Sequence, residues 1–254
     1  MLRMLLCLFA VLLAQPGTAA PLRVAMEGQF PPFEELDAQG NLVGFNVDIA
    51  NALCQRMQRE CELQRFAWEE LIPALEDGRA DLILASMSIT EARAERVDFT
   101  ARYAQTPAFF FARKGHINQM LITPRRIAGK RVGVQQGTTY ERFLEARFAE
   151  HVQLLRYPSA AQAYQALAGG ELDLLLDDAV SGYFGFLPTE QGRAFEQVGG
   201  PVVAPQFFGQ GQGIAVRKGD HALREQLDRA LAAILADGTH KRIEKRYFKQ
   251  FSVY

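Results

Sequence analysis

Two side chains of opposite charge, Arg93 and Asp178, each follow a short apolar run that ends abruptly in small or polar residues. The first run is Leu82-Ile83-Leu84, followed by Ala85-Ser86-Met87-Ser88, with Thr90 placed to cap a helix that carries Arg93. The second is Leu174-Leu175-Leu176, which ends in Asp177-Asp178. In an open α/β sheet, ligands sit outside such strand ends. A guanidinium at Arg93 can fork onto a carboxylate through two parallel N–H donors. Thr138-Thr139, after Gly137, opens a helix whose free N–H groups and dipole favour the same anion. Asp178, helped by the Ser88 hydroxyl, can pair with an ammonium. One carboxylate site and one ammonium site describe the head of a free α-amino acid. Each feature alone is more often a helix cap or a surface charge, so only the combination points to a ligand.

The elements that must position these groups occur twice. Residues 74–85 (ALEDGRADLILA) align without gaps on 166–177 (ALAGGELDLLLD): helix end, Gly turn, Asp, apolar strand. A weaker echo pairs Arg23-Val24-Ala25 with Arg131-Val132-Gly133. Two copies are too few for a solenoid; they predict two similar α/β lobes that face each other across a cleft. Strands are expected at 22–26, 63–66, 82–84, 108–112, 131–134, 152–156, 172–176 and 213–217, alternating with helices. Ala179–Phe186 is expected to be helical and Pro201–Pro205 irregular. Crossovers near Pro107 and Pro201–Pro205 divide the mature chain into 21–107, 108–204 and 205–254. The first and last of these make one lobe, and two hinge strands of this kind suit closure around a ligand.

Composition excludes several classes. The chain has 254 residues, 48% of them hydrophobic and 22% charged, with a net charge of −1; no basic stripe suggests nucleic acid. There is no Gly-x-Ser-x-Gly elbow and no P-loop, and His116, His151, His221 and His240 lack metal-ligand spacing. No catalytic residue, metal or cofactor is therefore expected. Gly209-Gln210-Gly211-Gln212-Gly213 precedes a strand rather than a helix and reads as a flexible turn, not a phosphate cradle. Residues 1–20 carry Arg3, an apolar core Met4–Ala14 and small residues at 17–20, the pattern of a cleaved export signal. Cys7 would leave with it. The remaining pair, Cys54 and Cys61, suggests a disulfide in an oxidising compartment, the alternative being two separately buried thiols.

As a set, Phe30-Pro31-Pro32-Phe33-Glu34, Val43–Ala50, Leu71–Leu75, Ser88–Arg93, Val132–Thr139 and Asp237-Gly238-Thr239 resemble the periplasmic amino-acid-binding proteins of ABC importers. The resemblance spans nearly all of the mature chain and is nearest to the lysine/arginine/ornithine-, histidine- and arginine-binding group, whose disulfide the Cys54–Cys61 spacing matches. It implies a two-lobe, monomeric receptor with a membrane permease as partner. By position it implies that Arg93 and the N–H groups of Ser88 and Thr139 hold the α-carboxylate, and that Asp178 with Ser88 holds the α-ammonium. Phe30 and Trp68 would sandwich the ligand's side chain, and Glu27 would meet a distal cation. The lining would be completed by Ala85, Ser86, Gln135 and Thr138. Arginine is expected before lysine, ornithine or histidine, since a guanidinium both stacks and pairs. Ala85, Phe30, Gln135 and Asp177 depart from the group's pattern and bear on side-chain preference. A receptor for a neutral polar amino acid such as glutamine, and an exported prephenate or arogenate dehydratase of the same fold, are the alternatives. A sensor fragment is a third, needing an anchor or output domain.

Overall fold

The computed structural model describes residues 20–117, 121–249 and 251–254. Residues 1–19 of the expected signal, with Cys7, lie outside the described residues.

The first lobe opens with β1 (Leu22–Met26), β2 (Gln29–Phe30), β3 (Glu34–Leu36) and β4 (Leu42–Val43), and continues into helix α1 (Phe45–Met57). Gly44 precedes α1 at φ 130°, where a Cβ would lie 2.4 Å from the Phe33 carbonyl oxygen, so only glycine lets the chain turn here. Then follow β5 (Cys61–Arg65), a 3-10 turn at Trp68–Glu70, α2 (Leu71–Glu76), β6 (Leu82–Ile83), α3 (Glu91–Ala94) and β7 (Val97–Ala104). Next come β8 (Ala108–Arg113), β9 (Arg131–Gln135), α4 (Thr139–Phe148), β10 (Gln153–Tyr157), α5 (Ala160–Ala168), β11 (Leu174–Asp178) and β12 (Phe195–Val202). The chain ends with α6 (Pro205–Phe208), β13 (Gln212–Arg217), α7 (His221–Ala236) and α8 (Thr239–Phe248).

Two five-stranded sheets result, ordered β5-β1-β6-β13-β7 and β10-β9-β11-β8-β12. In each, three neighbouring strands run parallel and the fourth runs antiparallel. This is the α/β arrangement of two similar lobes that the repeat predicts, and the echoes meet physically. Arg23 at the start of β1 forks onto Asp81 before β6, with N–H···O distances of 2.7 and 3.1 Å. Arg131 at the start of β9 forks onto Asp173 before β11 at 3.0 and 3.2 Å. One motif thus pins the adjacent second and third strands of each sheet, and both point their opposite, C-terminal ends at the cleft. β1, flanked on both sides, buries Leu22, Val24, Ala25 and Met26, as a central parallel strand must.

Cys54 and Cys61 are disulfide-bonded with Cα atoms 6.1 Å apart, tying the end of α1 to the start of β5; closing so short a loop is worth about 2–3 kcal/mol. Two expectations change. β12 is a regular strand on the sheet edge despite Gly199-Gly200-Pro201, because the register slips between Val198 and Val202 and absorbs the break. Ser181–Phe186 is a single π-helical stretch rather than an ordinary helix. Gly182 and Gly185 let it lie against the Phe111 ring and the Pro31 carbonyl, where a Cβ would come within 2.0 and 2.3 Å. Residues 205–208, expected on the first-lobe side of the return crossover, form α6, which sets Phe207 and Phe208 against Phe143 and Phe208 against Tyr140 of α4.

Candidate functional site

The strand ends of the two sheets face each other, and all eleven residues singled out in the sequence line one cavity between them: Glu27, Phe30, Trp68, Ala85, Ser86, Ser88, Arg93, Gln135, Thr138, Thr139 and Asp178. Tyr140, Asp177 and Gln212 line it too. Tyr140 follows Thr139 in the first turn of α4, so the helix start already noted carries it inward. Gln212 sits in the glycine-rich stretch read as a flexible turn. That stretch is instead a packed backbone support: Gly211 accepts from the Ile89 N–H at 2.8 Å, Gly213 donates to Met87 at 3.0 Å, and Ser88 bridges to Gln212.

Arg93 is positioned by α3, whose first turn is capped by the Thr90 hydroxyl. Its guanidinium donates to the Ser88 carbonyl at 3.1 Å and to the Gly137 carbonyl on the facing lobe at 3.4 Å, and lies 5.3 Å from the Trp68 ring centre. Burial, then the nearby Arg142, lowers its pKa to about 10, so it remains a cation at neutral pH. No carboxylate pairs with it among the described residues, and a buried cation without a counter-ion is receptive to an anion.

Asp178 is fully buried at the end of β11. It accepts from the N–H groups of Val180 and Ser181 at 2.8 and 3.1 Å and from the hydroxyls of Thr106 and Tyr140. Burial pushes it up to about 6, the hydrogen bonds opposing, so it is mostly ionised at pH 7. Its partners do not include Ser88, whose carbonyl serves Arg93. Thr106, held in turn by the Gln212 amide at 2.9 Å, supports Asp178 from within the protein, and Ser88 lines the cavity with it. Thr138 caps α4 by accepting from the Glu141 N–H at 3.2 Å and donates to the Gln135 carbonyl at 2.7 Å, and Thr139 is buried at the helix start.

At the other end Glu27 is 4% exposed and accepts from the Gln135 side-chain amide at 2.7 Å, a contact from one lobe to the other. Burial, then the charge of Glu34, pushes Glu27 up to about 8. Behind it a buried chain fixes the backbone: Glu34 accepts from the Glu27 N–H at 2.9 Å and from Asn46 at 2.5 Å. Asn46 in turn donates to the Ser86 hydroxyl at 3.1 Å and accepts from Tyr103, whose oxygen receives the Ser86 N–H. That chain holds Ser86 at φ 52°, a costly conformation for a residue with a Cβ. Phe30 stacks on Phe33 at 5.3 Å, and Ala85 is buried. The lobes are also joined by Gln136 to Glu69 at 2.8 Å and by the Ser181 hydroxyl to the Pro31 carbonyl at 2.9 Å. Among the described residues, no cluster of His, Cys, Asp and Glu could hold a metal, and no helix is long and apolar enough to cross a membrane.

Comparison with known proteins agrees with this geometry. The L-arginine-binding protein of Pseudomonas aeruginosa is 39% identical over 95% of this chain and 93% of its own. The histidine-binding periplasmic protein of Salmonella typhimurium is 36% identical over 100% and 99%. A solved ancestral arginine-binding protein bound to arginine superposes with a TM-score of 0.82 at 31% identity, covering 91% of this chain and 99% of the other. Residues 22–250 match the family described as bacterial extracellular solute-binding proteins, family 3. A fold of two pinned sheets with a polar cavity between their strand ends, and relatives of this identity along the whole length, place the chain in that family: it is a bacterial extracellular solute-binding protein of family 3.

Proposed function

We propose that this chain is an exported receptor for a free basic L-amino acid, arginine before lysine, ornithine or histidine, and delivers it to a membrane importer. The observation that carries the reading is the charge layout of one cavity. Arg93 from the first lobe and Asp178 from the second stand ready for an α-carboxylate and an α-ammonium, and the buried Glu27 waits at the distal end. A ligand that touches both lobes favours the shut form over the open one, and that difference in affinity drives closure. The names of the relatives support the class of ligand. In this reading residues 1–20 are the export signal and the receptor acts as a monomer in the periplasm. The lobes are 21–107 with 205–254, and 108–204.

Glu27→Gln tests the distal end. The variant is expected to bind arginine more than tenfold less tightly in a calorimetric titration, while a neutral amino acid changes by less than threefold. Equal losses for both would remove Glu27 from contact with the ligand's cation. One feature favours a second reading: a carboxyl held protonated at neutral pH, as at Glu27, is what an acid-catalysed dehydratase needs. Turnover of prephenate or arogenate would establish that activity, and its absence alongside arginine binding would dismiss it.

A further inference from the structure

The distal end of the cavity holds more acid than Glu27 alone. Asp177 is 3% exposed; its buried Oδ2 and the buried hydroxyl of Tyr164 on α5 face each other without completing a well-formed hydrogen bond to any described residue. The parallel pairing of β11 with β9 runs Leu174↔Val132 and Leu175↔Gly133. Two residues further along, the same register sets Asp177 beside Gln135 on one face of the sheet. Gln135 is the residue whose amide reaches across to Glu27 at 2.7 Å. Glu27 from the first lobe and Asp177 from the second therefore stand on either side of Gln135. Asp178, one residue on, turns to the opposite face towards Thr106 and Tyr140.

We propose that Asp177 is a specificity residue: with Glu27 it gives the distal end acceptors from both lobes, matched to the two donor edges of a guanidinium. The inference rests on the receptor reading above and refines its ligand. A guanidinium is planar and carries five N–H donors in a rigid fork; an ammonium is a compact point with three, and an imidazolium has two. The guanidinium can offer paired N–H donors to a carboxylate on each of two edges while lying flat against an aromatic ring; the imidazolium offers a single N–H on each side, and the ammonium has no flat face to stack. Charge counting adds a second consequence. Arg93 and Asp178 balance the ligand's own head, so one distal cation meets both Glu27 and Asp177. The groups facing Glu27 are Glu34 on β3, Arg65 on β5 and Asp177; those facing Asp177 are Asp178, Tyr164 on α5 and Tyr140 on α4. Burial, then neighbouring carboxylates, pushes Glu27 and Asp177 each up to about 8, so both hold protons in the unliganded site at pH 7. A guanidinium entering between them favours their ionised forms, and binding releases protons to solvent.

The experiment uses the full protein, unfolded and refolded to strip bound ligand. It is titrated calorimetrically at pH 7 with L-arginine, L-lysine and L-histidine in two buffers of different ionisation heat. The native chain is expected to bind arginine most tightly and to release protons on doing so. Asp177→Asn, close in shape and neutral like the protonated acid, is expected to weaken arginine more than tenfold and lysine less than threefold, and to reduce the proton release. The unfolding midpoint of the ligand-free variant at pH 7 should rise rather than fall, since asparagine removes the proton uptake that folding requires of Asp177, whereas loss of a merely structural contact would lower it. Arginine affinity within threefold of native, or one uniform loss for all three ligands, would overturn the proposal. A native chain that preferred lysine or histidine would overturn it too while leaving the receptor reading intact. A native chain that bound none of them would bring down both.

Discussion

Asp178→Asn is expected to weaken the binding of every free α-amino acid by roughly 30-fold to several thousand-fold while the lobes stay folded. The magnitude follows from the cost of about 2–5 kcal/mol for removing one partner of a buried, hydrogen-bonded charge pair. In the variant the ligand's ammonium loses its charged partner in a buried cavity. Folding should survive because the asparagine oxygen can still accept from Val180 and Ser181, which now bond to Oδ1 of Asp178. The loss should be the same for arginine, lysine and any neutral amino acid the protein binds, since all share the head. A calorimetric titration measures it, with the ligand-free unfolding midpoint as the check on folding. Affinity within threefold of native would remove Asp178 from the head-group site. A loss confined to basic ligands would move it to the distal end.

The second large effect is on stability. Four buried carboxyls of the site or just behind it hold protons more tightly in the fold than in the unfolded chain: Glu27 and Asp177 at about 8, Glu34 at about 7 and Asp178 at about 6, each raised first by burial. Between the ordinary carboxyl range near 4 and these values the folded chain binds more protons than the unfolded one, so stability falls as pH rises. His240 works the other way, since burial lowers its pKa from 6.5, but it acts only below that value. The clean window is therefore pH 6.5 to 8. One group with a folded pKa of about 8 loses about 1.4 kcal/mol per pH unit there, and the ligand-free protein should lose about 2 kcal/mol or more over the window. Arginine should reverse the trend, because a cation beside Glu27 favours its ionised form; the ligand's stabilising effect should be larger at pH 8 than at pH 6.5. Urea unfolding at intervals of half a pH unit, with and without arginine, gives both curves. A flat or rising ligand-free curve would mean that these carboxyls are already ionised and better solvated than the fold indicates.

Much of the site was legible because its residues sit at chain positions with local signals. Thr90 and Thr138 announce helix starts, and the apolar runs Leu82–Leu84 and Leu174–Leu176 announce the strands whose ends carry Ser86, Ser88 and Asp178. The repeated Arg and Asp of the two lobes were visible as an echo, although their meeting at the opposite end of each sheet required the fold. What escaped the sequence depends on tertiary context. Gly199-Gly200-Pro201 reads as a break, yet an edge strand tolerates it through a register slip. The glycines around Gln212 read as a loop, yet they let backbone pack on Ile89 and carry Gln212 to Thr106. Asp177 stood out in the sequence only as a departure from the family's pattern; the pleat of β11 shows that it and Asp178 face different walls of one cavity.

Thermal unfolding of the ligand-stripped protein against arginine, lysine, glutamine and glutamate separates a receptor for basic amino acids from its alternatives in one experiment. A ligand at 100 times its dissociation constant stabilises by about 2.7 kcal/mol, which at this chain length raises the midpoint by about 5–11 °C. Such a rise is expected with arginine, a smaller one with lysine and none with glutamate. A midpoint unmoved by any of the four, or raised by glutamate alone, would contradict that expectation.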